Sequence, residues 1–194
     1  MERFHHSPLD NSKREIRLLH LFPRDQLIRQ QPSPFNIFQD EEPISCLLET
    51  VSLNDSPKYN ALSYTWGKPE LTHQIWVNNA ILPVTESLAV ALRHLRQESE
   101  ILILWVDAVC INQRDTDEKN HQVRQMAEVY RHAAQVFVWL GPAADESCKV
   151  IEYLRFIATK YAEHGLTGVS DFSILEMTKA GEKDRAGALG RRES

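Results

Sequence analysis

Two uninterrupted apolar runs constrain this chain more than any other feature of its sequence. Residues 101–106 read ILILWV and residues 136–140 read VFVWL, with a stretch of helical periodicity at 115–133 between them. A continuous apolar run is typical of a strand that is covered on both faces. Strand, helix and strand with short connections predict parallel strands joined by a right-handed crossover. The apolar face expected on the helix comprises Val123, Met126, Ala127, Tyr130 and Ala134.

The first half of the chain is rich in strand signals. Asn78 and Asn79 separate QIWV from AILPV, and asparagine tolerates positive φ, so this stretch predicts a hairpin. Thr85 is placed to cap a helix in which leucines recur at helical spacing. Further strands are predicted at 15–21, 44–53 and 59–67, and a further helix at 145–163. The predicted fold is α/β: a parallel sheet flanked by helices, with a β-rich N-terminal extension and hairpin.

Changes in composition divide the chain into one domain and its flanks. Residues 1–13 are polar and are expected to form a flexible leader. Residues 29–43 contain three prolines, which is typical of a loop. Residues 164–194 are small, charged and glycine-containing, which predicts a weakly structured tail. The α/β domain itself is expected to span residues 14–163.

Charge and hydrophobicity exclude several classes of protein. The 194-residue chain is 42% hydrophobic and 25% charged, which fits one domain with a packed core. A net charge of −5 argues against a surface for nucleic acid or anionic membranes. No apolar run approaches the ~18–20 residues of a membrane-spanning helix, and the N-terminus lacks the apolar core of a signal peptide. We therefore expect a cytoplasmic protein with neither nucleic-acid nor membrane partners.

The cysteines and histidines show no metal-site pattern. Cys46, Cys110 and Cys148 lie far apart, which fits free thiols in a reducing compartment better than a disulfide framework. No histidine neighbours Cys110, so we expect a buried thiol there rather than a nucleophile. The histidines lack the spacing of metal ligands, and neither G-x-G-x-x-G nor a P-loop motif is present. We expect no metal site and no required cofactor.

Polar and aromatic side chains gather where the predicted strands end. Ligands of open α/β sheets bind outside the carboxyl ends of the strands. There, the indole of Trp66 could stack on a base, and Gly67 would let the backbone approach a phosphate. The predicted ligand-binding rim consists of Tyr64, Trp66, Gly67, Asp107, Asn112, Gln113 and Asp115.

Purely structural roles compete with this interpretation of the rim. Asp115 followed by Glu118 resembles a capping box, in which each side chain accepts from the other residue's backbone N–H. Asn112 and Gln113 are ordinary turn residues. Asp107 ends an apolar run, and burying it unpaired would be costly, so it either hydrogen-bonds to turn amides or faces a ligand.

Three blocks of the sequence resemble the signature of the fungal heterokaryon incompatibility (HET) domain family. They are YNALSYTWG (59–67), LPVTESLAVALRHLR (82–96) and LWVDAVCINQRDTDEKNHQVRQMAEVYRHAAQVFVWLG (104–141), in the family's order and spacing. The resemblance covers residues 14–160. It implies a role in fungal self/non-self recognition, as an effector or assembly module of programmed cell death. The expected partners are proteins: further copies of the chain, or other HET- or NLR-type signalling proteins.

The HET domain is similar to the Toll/interleukin receptor (TIR) domain, so the resemblance also implies a flavodoxin-like, TIR-like sheet. Some TIR domains cleave NAD at the nicotinamide–ribose bond, whereas others serve only as assembly adaptors. NAD is therefore a candidate substrate, and nucleotide N-glycosidase activity is the alternative function. Such cleavage passes through an oxocarbenium-like state, which a carboxylate near the ribose would stabilise.

One block expected of the family is missing. HET domains continue into a segment resembling W-F-x-R-x-W-V-x-Q-E, whose glutamate is comparable to the catalytic glutamate of TIR domains. This sequence has no tryptophan after Trp139. We expect a chain truncated before that block, which makes an inactive fragment a third alternative. The catalytic candidates that remain are Asp107, Glu118 and Glu146.

Overall fold

The computed structural model describes residues 2–24 and 43–141, and these residues form an α/β domain. Its strands are β1 (Glu15–Leu21), β2 (Ser45–Ser52), β3 (Asn60–Tyr64), β4 (His73–Val77), β5 (Ala80–Val84), β6 (Leu102–Trp105) and β7 (Val136–Trp139). Its helices are α1 (Glu86–Leu95), α2 (Asp107–Cys110) and α3 (Thr116–His132), with short 3₁₀ turns at Asn11–Lys13 and Leu53–Asp55. The α/β class and each strand predicted within these residues are confirmed.

The described strands form one sheet in the order β5-β4-β2-β1-β6-β3-β7. Strand β3 lies between β6 and β7 and is parallel to both. Strands β6 and β7 are therefore parallel to each other, as the two apolar runs predict. Strand β1 is antiparallel to both of its neighbours, β2 and β6. Strand β4 is parallel to β2, but antiparallel to β5. The sheet is therefore mixed: the predicted parallel pairing is present in the β6-β3-β7 unit and between β2 and β4, whereas β1 is antiparallel to both neighbours and the β4-β5 hairpin is antiparallel.

The predicted hairpin and helix cap are both present. Asn78 and Asn79 join β4 to β5 with φ values of 51° and 64°, the left-handed conformation that asparagine tolerates. The side-chain amide of Asn78 also holds β2: its Oδ1 accepts from the N–H of Leu48 at 2.8 Å, and its Nδ2 donates to the carbonyl of Leu48 at 3.3 Å. Thr85 caps α1 by accepting from the N–H of Leu88 at 3.4 Å.

The core lies between the sheet and the helices. It draws on β1, β2, α1 and β6, and it includes the fully buried indole of Trp105. The buried hydroxyl of Tyr59 donates to the carbonyl of Val129 at 2.7 Å, which ties the entry of β3 to α3. Burial of this contiguous apolar cluster is the main favourable contribution to folding.

Helix α3 turns only part of the predicted face inward: Met126 and Tyr130 pack against the core. Val123 is 50% exposed and Ala127 is also exposed, whereas Glu118, Gln122, Gln125 and Val129 are buried. Two of these polar residues have partners on β1. The amide of Gln122 donates to the carbonyl of Glu15 at 3.0 Å, and Glu118 pairs with Arg17. The prediction missed the buried polar residues because hydrophobic spacing ignores polar side chains whose burial a distant partner compensates.

The polar leader, expected to be flexible, makes defined contacts with the domain. Phe4 donates its N–H to the carbonyl of Ile81 on β5 at 3.0 Å, and Ile81 donates to the carbonyl of Glu2 at 3.0 Å. Farther along, His6 Nε2 lies 2.8 Å from the carbonyl oxygen of Val109 on α2. Residues 2–6 thus contact two separate parts of the domain.

Several sequence predictions fall outside the described residues. They are most of the proline-containing loop at 29–43, the helix at 145–163, the tail at 164–194, Glu146 and Cys148. Within residues 2–24 and 43–141, no helix is long and apolar enough to cross a membrane.

Candidate functional site

The carboxyl ends of β3 and β6 meet at one edge of the sheet. The two strands are parallel neighbours, with Ala61 opposite Trp105. This register brings the residues after β3 next to Asp107, the first residue of α2. The side chain of Trp66 lies close enough to the carboxylate of Asp107 to lower its pKa. The rings of Tyr64 and Trp66 stack with centroids 6.4 Å apart and an interplanar angle of 10°. Three residues of the predicted rim are therefore neighbours.

Asp107 carries a carboxylate in an environment that opposes its charge. Its Oδ1 accepts from the N–H of Ala108 at 2.7 Å. Burial raises the pKa of the Asp107 carboxyl above its ordinary value, and the hydrogen bond from Ala108 and the nearby indole of Trp66 offset only part of that effect. The indole of Trp66 is 47% exposed, so the pair is open to solvent on one side. A half-buried, incompletely compensated carboxylate is a frequent mark of a functional site.

Two tyrosines complete this group. The pKa of Tyr64 is raised by burial and by the negative charge of Asp107, and the nearby side chain of Thr85 offsets part of that effect. Burial and Asp107 likewise raise the pKa of Tyr130 to about 12. The ring of Tyr130 packs edge-on against Trp105, with centroids 5.4 Å apart. Both tyrosines therefore stay neutral at physiological pH. We call Tyr64, Trp66, Asp107 and Tyr130 the strand-end cluster.

Tyr130 is the member of the cluster that sequence reasoning missed. The sequence predicts only that it belongs to the apolar face of a helix, and its hydroxyl in fact donates to the carbonyl of Leu62 on β3 at 3.3 Å. No local signal identifies such a residue, because its approach to Asp107 depends on how α3 packs against the sheet.

Gly67 serves a tight turn beside the cluster. Its φ of +67° is a left-handed conformation that favours glycine. A Cβ at this position would lie 3.4 Å from the Cβ of Ser87 at the start of α1. The hydroxyl of Ser87 donates to the carbonyl of Thr65 at 2.5 Å. The turn therefore packs against α1, and this packing fixes the segment that carries Trp66.

The other predicted rim residues make local contacts. Gln113 donates its side-chain amide to the carbonyl of Asp107 at 2.9 Å. The side chain of Asn112 accepts from the N–H of Arg114 at 3.2 Å. Asp115 is the N-cap of α3 and accepts from the N–H groups of Asp117 and Glu118, each at 3.0 Å. Gln113 thus contacts the backbone of the cluster, whereas Asn112 and Asp115 shape the connection that follows it.

The capping prediction is correct for Asp115 and wrong for its partner. Glu118 does not reach back to the N–H of Asp115, which donates instead to the carbonyl of Asn112 at 3.1 Å. The Oε1 of Glu118 accepts from the N–H of Asn112 at 2.7 Å. A buried arginine competes for the carboxylate and draws it away from the reciprocal position.

That arginine is Arg17 on β1, a second residue that sequence reasoning missed. It is 2% exposed, and Glu118 is 8% exposed. Their contact is bidentate: Nη1 donates to Oε1 at 2.7 Å, and Nη2 donates to Oε2 at 2.9 Å. Burial by itself would raise the pKa of Glu118, but the hydrogen bonds from Arg17 and Asn112 outweigh it and hold the pKa below its ordinary value. The signal in the sequence was a lone arginine within the apolar strand EIRLLHL.

The structure also describes the other residues that the sequence offers for catalysis, apart from Glu146. The carboxylate of Glu118 is held in the ion pair, which leaves Asp107 as the half-open carboxylate among the described candidates; Glu146 lies outside the described residues. Cys110 is 1% exposed and burial raises the pKa of its thiol to about 12, which confirms a buried thiol rather than a nucleophile. In the part of the chain that the structure describes, no group of His, Cys, Asp or Glu side chains could hold a metal ion.

Strands β3 to β7, and with them the aromatic–carboxylate cluster at the parallel strand ends, lie within a stretch that matches a known protein family. The model of the family "Heterokaryon incompatibility protein (HET)" matches residues 59–189. The chain belongs to this family, which confirms the resemblance seen in its sequence. The matched residues include the whole strand-end cluster.

A curated relative supports the same assignment. "Heterokaryon incompatibility protein 6, OR allele" of Neurospora crassa is 38% identical over 163 residues, which cover 74% of this chain and 24% of the relative. The chain therefore spans about a quarter of the length of that protein. No solved structure matches the chain.

Proposed function

We propose that this chain is a signalling module of heterokaryon incompatibility that promotes programmed cell death in fungal non-self recognition. In this proposal it acts in the cytoplasm through protein partners, either further copies of itself or other HET- or NLR-type proteins. The strand-end cluster is the site on which the response depends. Family membership supports the biological role, and the geometry of the cluster supports the site.

The observation that carries the proposed site is the state of Asp107. A structural aspartate is normally satisfied by donors that hold its pKa low. The carboxylate of Asp107 instead has a raised pKa beside a half-exposed indole. An arrangement that costs stability at neutral pH is expected where a carboxylate serves a ligand or a partner.

Inducible expression of the chain in a filamentous fungus tests this proposal. The wild-type chain should reduce viability, and Asp107→Asn and Trp66→Ala should each abolish the effect at equal protein levels. Asp117→Asn is a matched control, because Asp117 is an exposed carboxylate on the first turn of α3 and should be dispensable. Killing by Asp107→Asn equal to that of the wild type would exclude the cluster as the site.

A second proposal assigns enzymatic activity to the same cluster. In N-glycosidic cleavage of NAD, the bond between nicotinamide and ribose breaks, nicotinamide leaves with the bonding electrons, and water adds to the ribose. A carboxylate such as Asp107 would stabilise the positive charge that develops on the ribose, and the face of Trp66 would hold a flat ring. The parallel β6-β3-β7 unit supports the TIR-like relationship on which this proposal depends.

Incubation of purified protein with NAD separates the two proposals. Release of nicotinamide that is lost in Asp107→Asn and retained in Asp117→Asn supports the enzyme. If the wild-type chain kills cells but releases no nicotinamide at high protein concentration, the module acts by assembly instead. Light scattering of the purified protein then measures that assembly. If the purified chain is a stable monomer although its expression kills cells, self-association is contradicted.

A further inference from the structure

The helix that presents Asp107 is too short to satisfy its own backbone. Helix α2 consists of four residues, so most of its carbonyl groups have no partner within the helix. Side chains from three different segments supply donors. Gln113 donates to the carbonyl of Asp107 at 2.9 Å, Arg17 to that of Cys110 at 2.9 Å, and His6 to that of Val109 at 2.8 Å. The position of α2 therefore depends on groups outside it.

His6 differs from the other two donors in where it comes from. It belongs to the leader, whose residues Glu2 and Phe4 are hydrogen-bonded to Ile81 on β5. The ring of Phe4 contacts the imidazole of His6 with centroids 4.9 Å apart and an interplanar angle of 81°. His6 is therefore fixed by β5 on one side and bonded to α2 on the other.

The half-buried position of His6 separates it from the structural core. Arg17 is fully buried in an ion pair, so its loss would destabilise the whole domain. His6 is only partly covered, and its removal takes away one donor to one carbonyl. Its effect should be confined to α2 and to the residue that begins α2.

We propose that His6 is a positioning residue for the strand-end cluster: its N–H holds α2 at Val109 and thereby presents Asp107 to Trp66. This role rests on the proposed function of the cluster, since it assigns a second task to the same site. His6 does not itself contact Asp107 or Trp66 among the contacts seen here; it acts through the backbone of α2.

The indole N–H of Trp66 offers a direct spectroscopic measure of this role. Its signal in a ¹H–¹⁵N NMR spectrum is identified by its absence in Trp66→Phe, and it should shift when Asp107 titrates, because the indole lies beside the carboxylate. Among the described residues, the other ionisable groups whose charge acts near Asp107 are Tyr64, Tyr130 and Cys110, and burial raises the pKa of each well above neutrality. Below pH 7 the Trp66 signal therefore follows Asp107.

The comparison that decides the matter is His6→Gln against His6→Ala. Both variants remove the imidazole, so the titration of His6 and its interactions with Arg17, Glu118 and Arg114 vanish from both. Glutamine keeps an N–H donor near the position of Nε2, and alanine does not. In His6→Gln the Trp66 signal should titrate at the same pH as in the wild type. In His6→Ala it should titrate at lower pH, because a released α2 exposes Asp107 to water.

Two results would overturn the proposal. One is an identical titration of Trp66 in both variants. The other is collapse of the signals from Trp76, Trp105 and Trp139 in His6→Ala, since His6 would then support the whole fold rather than α2. The NMR experiment uses no killing assay, so its outcome can be interpreted even if the proposed function is wrong. Likewise, a negative NMR result would leave the test of cell killing unaffected.

Discussion

Two carboxylates, one at the start of α2 and one in the first turn of α3, have opposite environments. Glu118 is buried and paired with Arg17 through two hydrogen bonds, and its pKa is held below the ordinary value. Asp107 is half-buried beside an exposed indole, and burial raises its pKa. The same polar stretch of sequence therefore contains one carboxylate whose burial is compensated by an ion pair and one whose burial is not fully compensated.

The contrast separates structure from function within a single family signature. The energy of a buried ion pair depends on its being complete, so Glu118 is a structural residue. The surroundings of Asp107 disfavour its negative charge, so a contribution to stability does not account for a carboxylate at this position. Substitutions at the two positions should accordingly have opposite consequences for stability and activity.

The largest effect is expected from breaking the buried pair. Arg17→Met or Glu118→Gln should lower the free energy of unfolding by about 3–5 kcal/mol. The first leaves the buried carboxylate of Glu118 without its cation, and the second leaves the buried guanidinium of Arg17 without its anion. Urea denaturation followed by fluorescence measures the change. As a control, the double variant Arg17→Met/Glu118→Leu should recover much of the loss. A loss under ~1 kcal/mol in both single variants would contradict the structural role of Glu118.

A smaller effect is expected at the helix cap between the two acids. Asp115→Ala should cost about 1 kcal/mol, because the N–H groups of Asp117 and Glu118 lose their acceptor. Asp117→Ala removes a neighbouring exposed carboxylate that caps nothing, and it should change stability by less than about 0.5 kcal/mol. Denaturation midpoints that are equal in the two variants would speak against the cap.

The smallest effect on stability is expected at Asp107 itself. Asp107→Asn should leave the free energy of unfolding at pH 7 unchanged or slightly higher, within about 1 kcal/mol of the wild type, while cell killing is lost. Asparagine keeps an acceptor for the N–H of Ala108 and carries no buried charge. A loss of stability above ~2 kcal/mol would show that Asp107 is structural after all.

The pH dependence sharpens the same comparison. The pKa of Asp107 is raised above its ordinary value of 3.8, so the folded state takes up this proton first and the wild type gains stability as pH falls through the folded pKa towards 3.8. Any advantage of Asp107→Asn should therefore shrink over that range. The pKa of Glu118 is lowered from 4.5, so its stabilisation is present above 4.5 and is lost as pH falls through its folded pKa. Stability differences of opposite pH slope, measured by denaturation between pH 7 and 4, would support both assignments.

Much of the fold could be predicted because local patterns determine it. The strands, the Asn78–Asn79 hairpin and the Thr85 cap each follow from residues close in sequence. The meeting of Trp66 with Asp107 was also foreseeable, since parallel strand ends lie at one edge of a sheet. Its role remains a prediction, as does the role of the whole rim.

The remainder depends on contacts between distant parts of the chain. The insertion of β1 antiparallel between β2 and β6 leaves no local pattern. Neither does the pairing of Arg17 with Glu118, which turned a polar face of α3 inward and displaced the expected capping box. Tyr130 and His6 were missed for the same reason: each reaches its partner only through the tertiary fold.

The leader also has a mechanical consequence. Residues 2–6 are hydrogen-bonded to β5 at one end and to α2 at the other. They therefore connect an edge strand of the sheet to the helix that begins at Asp107. The hairpin that contains β5 is joined to β2 by a parallel pairing that covers only Ser45–Cys46 and Trp76–Val77, and by the amide of Asn78. A load that pulls this hairpin away from β2 would be transmitted along the leader to α2.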